Sequence, residues 1–267
     1  MLRTRILTAL IALPLLIALI LLAPAWCFNV VVMAITFLGL MEMASMARLR
    51  VPAAKIMIAA AGMVVAISML IDHTGAAVSA GIVIALIGTL FGTLLTAEDM
   101  ERSVSDASEI LFSALYAGVL LPHFIWLRRL PDGPALVFFT IACTMGSDAG
   151  GYFAGRSFGR TKLWPSVSPK KTIEGSAGSL GGAMLIGVLF GVTIFDLFSV
   201  TGACAVAMVI SVLAQVGDLM ESMIKRAHDA KDSGWILPGH GGVLDRTDSL
   251  VLPVVFIYYA ALAVPPG

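Results

Sequence analysis

The sequence predicts an all-α, polytopic integral membrane protein of about nine transmembrane helices, with its N-terminus in the cytoplasm and its C-terminus outside. Three observations carry this reading. The mean hydropathy is +0.97, far above that of soluble globular domains. Apolar runs long enough to span a bilayer recur from one end of the 267-residue chain to the other. These runs lack the two-residue alternation of barrel strands, and a bilayer admits only helices or closed barrels because every backbone polar group must be satisfied within the protein.

The predicted spans cover about 6–24, 27–47, 54–72, 76–96, 109–127, 134–155, 175–195, 199–221 and 248–264. Arg3 and Arg5 precede the first run, as they would in a signal peptide. Bulky Trp26 in Pro24-Ala-Trp-Cys27 stands where cleavage wants a small residue, so an uncleaved helix is expected. Glu42 closes the second run just before Arg48 and Arg50, near enough to the helix end to be expected in water. The polar stretch from Glu98 to Glu109 reads as a solvated connection. Gly151, Gly155 and Gly159 recur every four residues, as do Gly178 and Gly182. Small residues at that spacing let helices pack closely in lipid. Between those stripes, Ser168 as N-cap and Pro169 at the first helical position predict a helix start. The organisation expected is a scaffold over 1–130 and a catalytic region over 131–267, with cytoplasmic loops at 156–174 and 222–247.

Orientation follows from Lys and Arg. With the N-terminus inside, every Lys and Arg falls on the cytoplasmic side except Arg128 and Arg129. The formal net charge of +0 therefore hides a basic side suited to anionic headgroups and solutes. Nucleic acid is excluded as a partner, because there is no basic soluble domain. Cys27, Cys143 and Cys204 are scattered through apolar runs and read as small hydrophobes, with neither disulfide nor metal spacing.

Chemistry concentrates in the second half. In the eighth run Gln215, Asp218, Ser222 and Lys225 project to one side of a helix, with Val216, Leu219, Met220, Met223 and Ile224 opposite. Polar residues at that depth predict a water-filled cavity. The segment from His240 through Gly241 and Gly242 to Asp245, Arg246 and Asp248 leads into the last run. Its glycines let backbone N–H groups approach an anion. Asp248 is placed for an ordinary N-cap, whereas Asp245 with Asp218 would supply hard oxygen ligands for Mg²⁺. Lys170 and Lys171 would stand at the cytoplasmic mouth of the seventh span. Asp148, with Tyr152 one turn on, is deep enough in its run to require a cationic partner. There is no Gly-rich loop ending in Gly-Lys-Ser/Thr and no Gly-x-Ser-x-Gly, so neither an ATPase nor a serine esterase is suggested. Nor do His73, His123, His228 and His240 form a zinc pattern.

The run Ser222-x-x-Lys225-Arg226, Lys231-Asp232, Pro238-x-His240-Gly241-Gly242 and Asp245-Arg246-x-Asp248 closely resembles the signature of phosphatidate cytidylyltransferases (CDP-diacylglycerol synthases). Asp148, Arg156, Gly159 and Ser168-Pro-Lys-Lys-Thr172 with Glu174-Gly175 are similar to the family too, so the resemblance covers roughly 145–250. It implies a homodimeric enzyme of the bacterial-type inner membrane that converts CTP and phosphatidate drawn from the bilayer into CDP-diacylglycerol and pyrophosphate, using Mg²⁺ at a site facing the cytoplasm. In that reading Asp218 and Asp245, with Asp248, hold the metal. Lys225, Arg226, Lys231 and Arg246 hold substrate phosphates, Lys170 and Lys171 draw the anions in, and Ser222, His240, Gly241 and Gly242 line the substrate site. Two rivals are a CTP-using lipid kinase, which would release CDP, and a transporter. The transporter lacks an inverted repeat, and its charges would belong at the midplane.

Overall fold

A computed structural model of the chain describes residues 14–49, 52–72, 75–97, 99–193, 199–234 and 241–263. Arg3, Arg5, the start of the first predicted span, Arg50, His73, Pro238 and His240 lie outside the described residues. Residues 14–21 are helical. After them come α1 (Ala25–Met46), α2 (Pro52–Ile71), α3 (Ala76–Leu95), α4 (Met100–Leu120), α5 (His123–Arg129) and α6 (Gly133–Phe158). A hairpin of β1 (Lys162–Trp164) and β2 (Ser168–Thr172) leads to α7 (Ile173–Thr193), α8 (Val200–Ala227) and α9 (Leu244–Ala263). Among the described residues, seven helical stretches are long and apolar enough to cross a membrane, α4 and α5 together forming one of 30 residues. The chain is thus an all-α polytopic membrane protein, with a single small β-hairpin among the described residues. At 26 residues α6 is also long, but Asp148 and its glycines leave it outside those seven apolar stretches.

Three sequence expectations need correction. The stretch expected as a solvated connection is helical from Met100, because Asp99 caps α4 by accepting N–H bonds from Glu101 and Arg102. Ser168 and Pro169 do not start a helix; they open β2, which pairs antiparallel with β1 in the register Lys162↔Thr172 and Trp164↔Ser168. A proline is tolerated at the start of an edge strand as readily as at a helix start, and here the strand wins. Asp248 is not an N-cap, since α9 has already begun at Leu244 and Asp248 accepts instead from the N–H and hydroxyl of Ser249.

The two arginines that broke the charge asymmetry are held by backbone. Arg128 donates to the carbonyls of Leu19, Ile20 and Ala23 and stacks over the Phe28 ring, while Arg129 donates to the Leu70 carbonyl at the end of α2. Cations at helix C-termini offset the partial negative charge of unpaired carbonyls, so their position is structural. One core cluster joins α5, α6 and α9 around Ile125, Leu127, Val137 and Val254, and a second joins α1, α2, α4 and α9 around Leu40, Ile58, Ile110 and Leu244. The last helix therefore belongs to both halves of the molecule.

The most extensive helix pairing is between α6 and α7. There the glycine expectation holds with a shift of stripe. A Cβ at Gly150 would collide with the Gly178 carbonyl, one at Gly182 with the Gly146 carbonyl, and one at Gly175 would stand 3.2 Å from the Gly151 carbonyl. Backbone-to-backbone contact of this kind is open only to glycine. Gly150→Ala should therefore lower thermal stability in detergent by roughly 1–3 kcal/mol. Gly181→Ala, on α7 but facing open space, should leave the melting temperature unchanged or raise it.

Candidate active site

The α8 helix is 28 residues long, about 42 Å at 1.5 Å per residue, against about 30 Å of hydrocarbon. Its C-terminal turns, which carry Asp218, Glu221, Ser222, Lys225 and Arg226, thus have length to spare beyond the apolar layer. The first turn of α9 packs beside them and brings in Asp245 and Asp248. The approach is close: a Cβ on Gly217 would collide with the Asp248 carbonyl.

Two lysines anchor the acidic groups. Lys225 is half-buried and lies 2.6 Å from Asp245 Oδ1 and 3.3 Å from Glu221 Oε1. The other oxygen of Asp245 accepts from the backbone N–H of Ser233 at 3.0 Å and of Gly242 at 2.8 Å. Lys171, on β2, lies 2.7 Å from Asp218 Oδ2, and Ser222 donates to Asp218 Oδ1 at 3.3 Å. The hairpin thus swings Lys171 over α8, a placement that the expected helix start would not have produced.

Beside the Lys171–Asp218 pair a cavity of about 390 Å³ opens among α6, the hairpin, α7 and α8. Asp148, Tyr152, Arg156, Lys170, Gln215 and Asp218 are on its wall, and Gly151, Gly155 and Gly175 leave room for it. The predicted polar cavity is present. Asp148 opens onto it with Lys171 as the neighbouring cation, and Tyr152 accepts a hydrogen bond from Arg156 at 2.8 Å. Gln215 is fixed at its floor by Ser176 and by Ser211, which in turn bonds Ser147 at 2.8 Å.

Carboxylates line up along this seam. Asp148 interacts with Asp218 and Asp248, Asp248 with Glu221, and Glu221 with Asp245. Glu221 is 1% exposed, and neither of its side-chain oxygens receives a hydrogen bond. Hard oxygen donors in acidic excess, one of them buried without a donor, are of the kind that takes a divalent cation such as Mg²⁺. As they stand, no three His, Cys, Asp or Glu among the described residues are grouped closely enough to hold one.

Other expected site residues are spread over the loops at the same helix ends. Lys170, Arg226, Lys231 and Arg246 are exposed, and Arg226 donates to the Ala230 carbonyl at 3.3 Å. Gly241 takes a positive φ of 77°, and Gly242 supplies an N–H to Asp245, so this glycine pair serves a carboxylate of the protein itself. Two residues escaped sequence reasoning. Glu221 had a signal, an acid next to the polar face of α8. Glu42 was noticed and misread: it is 2% exposed and faces the segment before α9, not water.

The chain matches the model of the cytidylyltransferase family over residues 3–264. It is 38% identical over 170 residues to the phosphatidate cytidylyltransferase of Bacillus subtilis (strain 168), a match spanning 62% of this chain and 63% of that protein. It is 32% identical to the phosphatidate cytidylyltransferase of Synechocystis sp. over 98% of this chain and 97% of the relative. With the Staphylococcus aureus (strain COL) enzyme of the same name it shares 35% identity over 96% and 98% of the two chains. The chain belongs to the cytidylyltransferase family, and so to the nucleotidyltransferases.

Breaking the Lys225 cluster should be costly, because it leaves buried acids without a counter-charge. Lys225→Met is expected to destabilise the protein by about 3 kcal/mol, read as a lower melting temperature in detergent. Adding Glu221→Gln should restore part of that loss.

Proposed function

From its place in the cytidylyltransferase family, we propose that the chain is a phosphatidate cytidylyltransferase, making CDP-diacylglycerol and pyrophosphate from CTP and phosphatidate. The single observation that supports this best is the cavity where Arg156, Lys170 and Lys171 meet Asp148 and Asp218 at the ends of membrane-spanning helices. A bilayer lipid and a water-soluble triphosphate must meet at such a boundary. We place the site on the cytoplasmic face of a bacterial-type inner membrane, in a homodimer of chains with about nine spans each.

In this reading a phosphate oxygen of phosphatidate attacks the α-phosphorus of CTP. The bond from that phosphorus to the bridging oxygen breaks, and pyrophosphate leaves with the electron pair. The lipid supplies the nucleophile, so no protein nucleophile is needed. The protein's task is to hold two polyanions in line against their repulsion, by positioning and electrostatics. Arg156, Lys170 and Lys171 receive phosphates in the cavity, while Lys225, Arg226, Lys231 and Arg246 serve the same purpose around α8 and α9. Asp218, Asp245 and Asp248, with Glu221, are the residues that would hold Mg²⁺, which would supply positive charge against the phosphates and the leaving group. Ser222 steadies Asp218, and Gly241 and Gly242 shape the turn into α9. His240 is proposed as a hydrogen-bond donor to a phosphate.

Detergent-purified protein given CTP, phosphatidate and Mg²⁺ should yield CDP-diacylglycerol and pyrophosphate in equal amounts. Release of CDP instead would identify a kinase and overturn the proposal. Chelation with EDTA should abolish turnover, and Mg²⁺ should restore it. Asp218→Asn and Asp245→Asn should each lower kcat by on the order of 10²–10³-fold while the protein still inserts and purifies normally. Near-normal turnover in either variant would remove that aspartate from the catalytic set.

A further inference from the structure

We propose that Glu42, on α1 in the N-terminal half, is a positioning residue for the reacting end of α9, acting through Ser233 and Asp245. This rests on the functional reading above only for its kinetic consequences. Glu42 is 2% exposed, in the middle of an apolar molecule, and no Lys or Arg is paired with it among the described ion pairs. Its charge is met by donors instead. Oε1 accepts from the backbone N–H of Val243 at 2.7 Å, and Oε2 accepts from the N–H of Leu244 at 2.9 Å and the hydroxyl of Ser233 at 2.9 Å.

Leu244 is the first residue of α9, so the carboxylate sits where a helix leaves N–H groups unpaired and carries partial positive charge. Glu42 does the work of an N-cap from a helix some two hundred residues away in sequence. Ser233 links it to the site. Its N–H donates to Asp245 Oδ2 at 3.0 Å, and its hydroxyl, while donating to Glu42, accepts from the Asp245 N–H at 3.3 Å. Asp245 in turn holds Lys225 at 2.6 Å. The fit leaves no slack: a Cβ on Gly234 would stand 2.7 Å from Glu42 Oε1, and one on Gly242 2.5 Å from Oε2. These two glycines are therefore required for Glu42 to reach the backbone, quite apart from any approach to an anion.

The consequence is directional. Both oxygens of Glu42 are taken by donors of the protein itself, and among the described residues it is not on the cavity wall, so its role is to position rather than to bind. It sets where Asp245 and Lys225 stand, and a displacement of about 1 Å at a reacting centre costs up to about a hundredfold in rate. In Glu42→Gln one oxygen becomes an NH₂, which faces an N–H or a hydroxyl and cannot accept from it. The hold on the α9 turn is then weakened without emptying the volume.

The test uses the full chain purified in detergent, with CTP, phosphatidate and Mg²⁺. Glu42→Gln should lower kcat by about tenfold to a hundredfold with the KM for CTP within about twofold of wild type. Amide exchange in a peptide covering 242–245 should speed up by at least about tenfold, while exchange in α6 and α7 is unchanged. The double variant Glu42→Gln with Asp245→Asn should be no slower than Asp245→Asn alone, because the two act along one path. Ser233→Ala, which removes the hydroxyl shared by Glu42 and Asp245 but keeps the Ser233 N–H to Asp245, should reproduce part of the kcat loss with a modest drop in melting temperature. Full kcat in Glu42→Gln, additive losses in the double variant, or a Ser233→Ala enzyme as fast as wild type would each overturn the proposal. If the wild-type chain forms no CDP-diacylglycerol, the functional reading fails, and the exchange data alone decide whether Glu42 holds the turn.

Discussion

A carboxylate removed from water has to be compensated by something within a few ångströms, and the architecture follows from how this chain meets that demand. An isolated buried charge costs several kcal/mol even after relaxation. Four acids solve the problem in four ways. Glu42 takes three hydrogen-bond donors and a helix terminus. Asp245 takes two backbone N–H groups and Lys225. Asp218 takes Lys171 from the hairpin and a serine. Glu221 has Lys225 at 3.3 Å and the Asp248 carboxyl beside it, and neither of its oxygens accepts a hydrogen bond. The first arrangement is rigid because backbone cannot move aside. The other three rest wholly or partly on lysine ammonium groups, which a polyanion or a cation can draw away.

That division between fixed and exchangeable compensation depends on the glycine seam of α6 and α7. With backbones in contact at Gly146–Gly182 and Gly150–Gly178, the two helices leave no room for side chains at those four positions, and Gly155 and Gly175 face Thr172 of the hairpin. Thr172 closes the turn by accepting the N–H of Gly175, and Glu174 accepts the N–H groups of Arg160 and Thr161. The hairpin is therefore pinned at both ends. Lys171 reaches across to Asp218 because the strand it stands on cannot drift outward. Close packing far from the charges thus determines how near a cation stands to an acid.

Much of this was legible in the sequence and part was not, for definable reasons. The apolar runs over 27–47, 54–72, 76–96, 175–195 and 199–221 correspond to α1, α2, α3, α7 and α8, because twenty apolar residues in lipid leave the backbone no alternative to a helix. The hairpin was hidden because Ser168-Pro169 suits a helix start and a strand start equally, and the pairing that decides it comes from Lys162–Trp164. The early start of α4 was hidden because its first turns are polar, and polarity alone does not separate an exposed helix from a loop. Asp218, Ser222 and Lys225 were visible as one face of α8, since helical periodicity is local. Glu42 was visible as an anomaly but not as a partner, because its donors lie at 233 and 243–244 and no local pattern encodes a contact of that range.

The same contact bears on how the two halves of the chain relate. A chain read as scaffold followed by catalytic region suggests that the first half could be exchanged for any apolar bundle. The fold argues otherwise. Leu244 packs in the cluster that holds Leu40, Met43 and Leu121, and Glu42 binds the backbone of the same residue. The start of α9 is thus fixed from the N-terminal side by packing and hydrogen bonding together, while Asp245, one residue on, points to Lys225 on α8. One turn of helix is shared between the packing of the N-terminal half and the acidic cluster beside α8. A substitution on α1 can therefore reach Asp245 without touching a substrate, whereas a change on α3, whose exposed face carries Ile84, Ile87 and Leu94, has no such path.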